Sequence, residues 1–215
     1  MTGDPTPSSR GRFADYYALP RAPWDIGRPQ RAFVEHAGAI GRRVLDVGCG
    51  TGDLAIWLAE QGRSVTGVDF LPQPLEQARR KAAACGVAVN FLEMDALAIG
   101  AIPERFDAVT DCGLFHTFDD ASRTAYVDAL GRLLEPGAKL FLLCFSDAEP
   151  GTHGPRRVGV EELRRTFARG WEIERIDPSR FEVVRGIPGL EFTPDGPRAW
   201  FTVLRRSGPF ARADA

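Results

Sequence analysis

No apolar run in this 215-residue chain approaches the roughly 20 residues that a membrane-spanning helix needs. A cationic excess is missing too: the formal net charge is −2, which argues against nucleic acid or an anionic membrane surface as a partner. Cysteine is scarce and scattered. Cys49, Cys85, Cys112 and Cys144 contain no CxxC pair, so neither a disulfide framework nor a zinc site is expected, and the reading is reduced thiols in the cytoplasm. The opening "MTGDPTPSSRGR" has no apolar core of the signal-peptide kind. It reads as a polar, disordered lead-in over residues 1–14, with residues 208–215 as a tail. Between them, 15–207 reads as one domain. Its composition, 44% hydrophobic and 26% charged, is that of an ordinary globular protein.

What is present is an alternation. Apolar runs of strand length fall near Arg43–Val47, Ser64–Asp69, Val89–Glu93, Asp107–Cys112, Lys139–Phe145, Glu172–Ile176 and Trp200–Arg205. Helical periods fall near Pro29–Ala37, Asp53–Gln61, Pro72–Cys85, Ser122–Leu134 and Val160–Ala168. Near-continuous apolar strands such as "KLFLLCF" argue for burial on both sheet faces. Strand–helix alternation predicts a doubly wound, mostly parallel α/β sheet. The last two runs have no clear helix between them and read as an antiparallel pair at the sheet edge.

In open sheets of this kind, ligands sit at the carboxyl ends of the strands. The loop after the first strand, in "VLDVGCGTGDL", carries Gly48, Gly50 and Gly52. The dinucleotide fingerprint GxGxxG needs its third glycine at position 53, which is Asp53. A phosphate loop needs Gly-Lys-Ser/Thr, which is absent. The acid that follows the glycines would repel a phosphate. Asp69 ends the second strand at the distance where a carboxylate meets ribose hydroxyls, and Asp95 ends the third. Asp46, Asp69 and Asp95 on consecutive strands make a nucleoside site with no phosphate apparatus. The residues imply an adenosine-bearing, non-phosphate ligand that carries a cation.

"VLDVGCGTGDLAIWLA…VTGVDFLPQPLEQAR…FLEMDA…FDAVTDCGLFH" resembles, motif by motif and in order, the class I S-adenosylmethionine (SAM) methyltransferases. The resemblance covers roughly Val44 to Phe145. It implies a Rossmann-like seven-stranded sheet with an antiparallel final strand and helices on both faces. It also implies a cofactor site of Asp46, Gly48, Cys49, Gly50, Asp69, Phe70, Asp95 and Ala96. Asp111 and Cys112 fall where the family approaches the methionine end of SAM. The stretch "YYALPRAPWDIGRPQRAFVE" precedes the first strand and is similar, in PWDxGxPQ, to the thiol, thiopurine and halide branch. There the segment folds over the cofactor. Residues 15–38 are therefore expected to form a lid and a helix, with Trp24 against SAM and Tyr16, Tyr17 and Arg28 near cofactor or acceptor. The plain alternative is an apolar strap that ties the N-terminus down.

"TDCGLFHTFDD" follows the fourth strand, where the acceptor should meet the methyl group. His116 is the candidate catalytic residue there, as a base toward an alcohol, phenol or amine. Its alternative is a structural turn histidine. Phe115 and Phe118 are candidate pocket walls, and Cys112 reads as a packed thiol. Two Gly- and Pro-rich loops, "SDAEPGTHGPRRVG" after the fifth strand and "FEVVRGIPGLEFTPDGPRAW" between the last two, are expected to shape the acceptor pocket. His153, Arg156 and Arg157 in the first are candidate acceptor-side residues, unless the arginines are merely solvated. No metal site is expected. The whole reads as a SAM-dependent enzyme that methylates S, O or N of a small-molecule acceptor. The rivals are an NAD(P)-dependent oxidoreductase, disfavoured by Asp53, and a non-catalytic SAM-binding module.

Overall fold

The structure, a computed structural model, describes residues 7–19, 21–152, 154–187 and 191–208. Seven strands form one sheet: β1 (Arg43–Val47), β2 (Ser64–Asp69), β3 (Asn90–Glu93), β4 (Ala108–Cys112), β5 (Lys139–Phe145), β6 (Trp171–Arg180) and β7 (Arg198–Arg206). Their order is β3-β2-β1-β4-β5-β7-β6. β1 pairs in parallel with β2 and β4, β2 with β3, and β4 with β5. Only β7 runs antiparallel, against both β5 and β6. The chain winds outward from β1 to β3 and then returns to β4, so the switch point lies between β1 and β4.

Helices α1 (Pro7–Ala18), α2 (Arg31–Glu35), α3 (Asp53–Glu60), α4 (Pro72–Cys85), α5 (Asp120–Leu133) and α6 (Val160–Thr166) connect the strands. One sheet face, with Leu45, Val109, Leu140 and Leu142, packs on Tyr126 and Leu130 of α5 and Leu163 of α6. The other, with Val44, Ala108, Phe141 and Leu143, packs on Leu54 and Leu58 of α3, Leu75 and Ala78 of α4, and Phe33 of α2. β5 is buried along nearly its whole length, as an apolar strand covered on both faces must be. No helix among the described residues is long and apolar enough to cross a membrane.

Local chemistry sets the helix ends. α4 starts on Pro72 and stops at Gly86, which takes the left-handed φ of 68°. α5 is capped by the Asp119 carboxylate, which accepts from Ser122 N at 2.7 Å. Gly52 precedes α3 with φ 81°, and a Cβ there would lie 2.8 Å from the Ala78 Cβ. The third loop glycine thus serves the packing of α3 on α4.

Three elements differ from expectation. The polar lead-in does not run to residue 14: α1 begins at Pro7. An aromatic cluster holds it, with Phe13 edge-on to Trp24 at 5.6 Å and to Phe70 at 6.0 Å. The helix expected over Pro29–Ala37 is one short turn, α2, followed by a 3₁₀ turn at Ala37–Ala39. A second 3₁₀ stretch, Ala96–Ala101, follows β3 where none was expected. The tail expected from 208 onward lies, after Gly208, outside the described residues, as does His153.

Candidate functional site

A cavity of about 530 Å³ opens at the carboxyl ends of β1, β2 and β4, at the switch point. Its first half is built on the glycine loop. Gly48 and Gly50 adopt φ of 69° and 54°, which side-chain-bearing residues rarely reach. A Cβ on Gly50 would meet the Tyr17 hydroxyl at 2.6 Å, and one on Gly48 the Leu114 side chain at 3.2 Å. The loop is therefore bare backbone by necessity. Asp69 braces it: Oδ2 accepts from Gly50 N and Oδ1 from Leu71 N, both at 3.0 Å. Phe70, Met94 and Ala96 continue the wall.

Asp46 lies beneath the loop, buried, and accepts from the Thr110 hydroxyl at 2.7 Å. Burial, offset in part by that bond, raises its carboxyl to about 7. Asp53 pairs with Lys81, which also donates to Thr51 Oγ1 at 3.0 Å, and Asp25 lines the same wall. This half of the cavity is acidic. It would repel a pyrophosphate and would welcome a cationic ligand.

Over this half lies α1. The Trp24 indole N–H donates to the Tyr17 hydroxyl at 3.2 Å, and the Trp24 ring packs edge-on against Tyr16 and Tyr17. Burial, then the charge of Asp69, pushes the Tyr17 phenol up, so its O–H stays a donor above the glycine loop.

The second half is apolar and aromatic. His116, Phe145, Phe181, Val183 and Phe192 line it. Phe145 is 5.0 Å from the His116 ring, 5.1 Å from Phe181 and 5.6 Å from Phe192. His116 is only 5% exposed, and its Nδ1 accepts from Phe145 N at 2.9 Å.

A family model described as a methyltransferase domain matches residues 44–137. The 2-heptyl-1-hydroxyquinolin-4(1H)-one methyltransferase of Mycobacteroides abscessus is 33% identical over 178 residues, covering 80% of this chain and 78% of that one. The chain belongs to this methyltransferase family. Its cofactor is S-adenosylmethionine. A ubiquinone biosynthesis O-methyltransferase of Pseudomonas aeruginosa is 34% identical to the enzyme over 172 residues, covering 74% of this chain and 72% of that one. A solved structure described as "Conversion of a Disulfide Bond into a Thioacetal Group during Echinomycin Biosynthesis" is 41% identical to it, with a TM-score of 0.76 over 87% of this chain and 86% of that one.

The structure gathers most residues that the sequence nominates. Tyr16, Tyr17, Trp24, Asp46, Gly48, Cys49, Gly50, Asp69, Phe70, Ala96, Cys112 and His116 all line the cavity. Five others are placed differently. Asp111 is buried on the opposite sheet face, where Oδ1 accepts from Leu114 N and Phe115 N at 2.9 and 3.2 Å. Strand residues alternate faces, so Asp111 and Cys112 cannot both reach the cofactor. Phe115 is fully buried beneath the Arg123 guanidinium at 4.4 Å and stacks on Phe167, so it is core and not wall. Phe118 packs on Tyr126 at 5.1 Å. Arg28 reaches the cavity rim but is held by Glu182 at 2.8 Å. Asp95 is not on the cavity lining; its Oδ1 accepts from Leu97 N at 2.9 Å as the cap of the 3₁₀ stretch. Among the arginines, Arg156 does line the cavity while pairing with Asp120 and Glu162, whereas Arg157 is tied to loop carbonyls.

Proposed function

We propose that the enzyme transfers a methyl group from SAM to a heteroatom of a flat aromatic acceptor, with a ring-attached hydroxyl or thiol as the favoured nucleophile. The observation that carries this is the second half of the cavity: three phenylalanines, Phe145, Phe181 and Phe192, packed around His116, with Thr117 and Arg156 also on the lining. Such walls stack on planar rings and offer no counter-charge to an amine. The hydroxyquinolinone named for the Mycobacteroides relative, and the O-methyl transfer named for the ubiquinone-biosynthesis relative, support the same reading. Four free thiols support a reducing, cytoplasmic setting.

In this reading Asp69 holds the ribose hydroxyls, and Met94 and Ala96 flank the adenine. The Gly48–Gly50 backbone, Asp46 and Asp53 face the methionine end. Bound SAM supplies a methyl group already activated as a sulfonium. The chain supplies position: it aligns the acceptor heteroatom with the methyl carbon and excludes water, and such alignment accounts for roughly 7–11 kcal/mol of a barrier. The test is methyl transfer from radiolabelled SAM to a panel of thiols, phenols and amines. Aromatic thiols and phenols should lead. Preferred turnover of aliphatic amines would contradict the reading.

The Asp46 carboxyl adds a pH dependence. Its charged form attracts the sulfonium, so binding of the cation favours loss of the Asp46 proton. Raising the pH through about 7 should then strengthen SAM relative to its neutral-sulfur product, by up to about tenfold. Calorimetry of both ligands from pH 6 to 8 measures the ratio, and Asp46→Asn should flatten it.

A further inference from the structure

His116 stands where a base would be useful, yet its bonding excludes that role. Phe145 N is a backbone donor, so the Nδ1 that meets it at 2.9 Å must accept. A neutral imidazole with an accepting Nδ1 carries its proton on Nε2. Nε2 has no protein partner among the described residues, and the residue lines the cavity among Phe145 and Phe181. We infer that His116 is a fixed hydrogen-bond donor to the acceptor's nucleophilic atom, and that the enzyme selects acceptors that reach the site already ionised.

Other groups on the page fit this. Burial comes first in opposing a charge on the ring, and the cations Arg123 of α5 and Arg157 of the loop before α6 add to it, holding the imidazole near 3. His116 therefore stays neutral throughout the working range and takes no proton. The carboxylates on the cavity wall, Asp25, Asp46, Asp53 and Asp69, belong to the N-terminal segment and to the loops after β1 and β2. The loops that frame His116 contribute Phe181, Val183, Phe192, Pro155 and Arg156, and none of these is a base; the Arg156 guanidinium, paired with Asp120 and Glu162, is a cation. An aromatic thiol, or a phenol or N-hydroxy group made acidic by its ring, leaves its proton in water before it binds. The acceptor anion then forms the bond to the methyl carbon as the carbon–sulfur bond breaks, and that electron pair passes to the sulfur. The Nε2–H bond holds the anion in line and keeps it from being lost to solvent.

The proposal rests on the aromatic-acceptor reading, and its test separates the two. Nitrogen NMR of the full chain, ¹⁵N-labelled at its three histidines, reads the tautomer without any acceptor. The His116 signal, assigned as the one absent from the spectrum of the His116→Gln variant, should keep the Nε2–H pattern unchanged from pH 6 to 9, while His36, whose Nδ1 donates to Ala32 O at 2.8 Å, shows the other tautomer. An Nδ1–H pattern at His116, or its titration near neutrality, would overturn the inference whatever the substrate proves to be. Two variants then divide structure from donation. His116→Asn keeps an acceptor for Phe145 N and loses the cavity donor; His116→Gln keeps a donor near the Nε2 position. Asn should lower kcat/KM about 10–100-fold with SAM affinity unchanged, and Gln should recover most of it. In a series of ring-substituted thiophenols or phenols, the rising limb of kcat/KM against pH should move with the acceptor's own pKa. A limb fixed at one pH for all acceptors, or an Asn variant as active as the parent, would show that His116 is a base or a structural residue.

Discussion

Replacing Asp69 by alanine is expected to weaken SAM binding by roughly 10²–10⁴-fold. The side chain is buried, lines the cavity and accepts from Gly50 N and Leu71 N. Two charge-assisted bonds of about 1.5–3 kcal/mol each give that range. The loss should be the same for SAM and for its demethylated product, because the ribose is common to both. Calorimetry with the two ligands measures this, and a thermal melt reports how much of the effect comes from loosening the Gly50 turn. Unchanged affinity in a folded Asp69→Ala protein would remove Asp69 from the site.

Deleting residues 1–19 should abolish turnover, by about 10²-fold or more, while the sheet still folds. The N-terminal segment has two parts with different fastenings. From Pro23 onward it is clasped to the chain after β6: Val184 N donates to Pro23 O at 2.8 Å, Gln30 and the Glu182 backbone exchange two bonds of 2.8 Å, and Arg28 pairs with Glu182. That stretch is a strap. The described contacts of α1 are the aromatic cluster, the Trp24 indole bond to the Tyr17 hydroxyl, and Gln73 Nε2 to Tyr17 O at 3.0 Å. The Tyr17 hydroxyl sits over Gly50, and in the proposed reading the helix opens for ligands to exchange and its loss exposes the methionine end to water. β1 begins only at Arg43 and keeps its own core. Hydrogen exchange should show α1 gaining protection on binding the demethylated cofactor, with residues 23–31 protected throughout. Full activity of the deleted chain would refute the role.

The glycine loop and Asp69 were legible because their chemistry is local: a strand, a bare turn and an acid at fixed spacing. The sheet was legible because period and run length separate strands from helices here. The acceptor half was legible only in outline, as two Gly- and Pro-rich loops, one of which carries Phe181 and Phe192. Phe145, Phe181 and Phe192 come from β5 and the long connection after β6, and only the β5–β7–β6 pairing brings them together. Asp111 was misplaced although strand alternation, applied to "VTDC", would have turned it away from Thr110 and Cys112. His116 was found by position, but its role depends on the Phe145 amide, 29 residues away, and no sequence pattern reports which ring nitrogen accepts. α1 was missed because its polar composition hides a contact made by Phe13, Tyr16 and Tyr17 with distant Trp24 and Phe70.

The most direct measurement is a calorimetric titration of the full chain with the demethylated product of SAM and, in parallel, with NADH. Asp53 beside the glycine loop, Asp46 beneath it and Asp69 at the end of β2 favour a phosphate-free nucleoside. The account predicts saturable binding of the product in the micromolar range and no heat from NADH. Binding of NADH with none of the SAM product would contradict it.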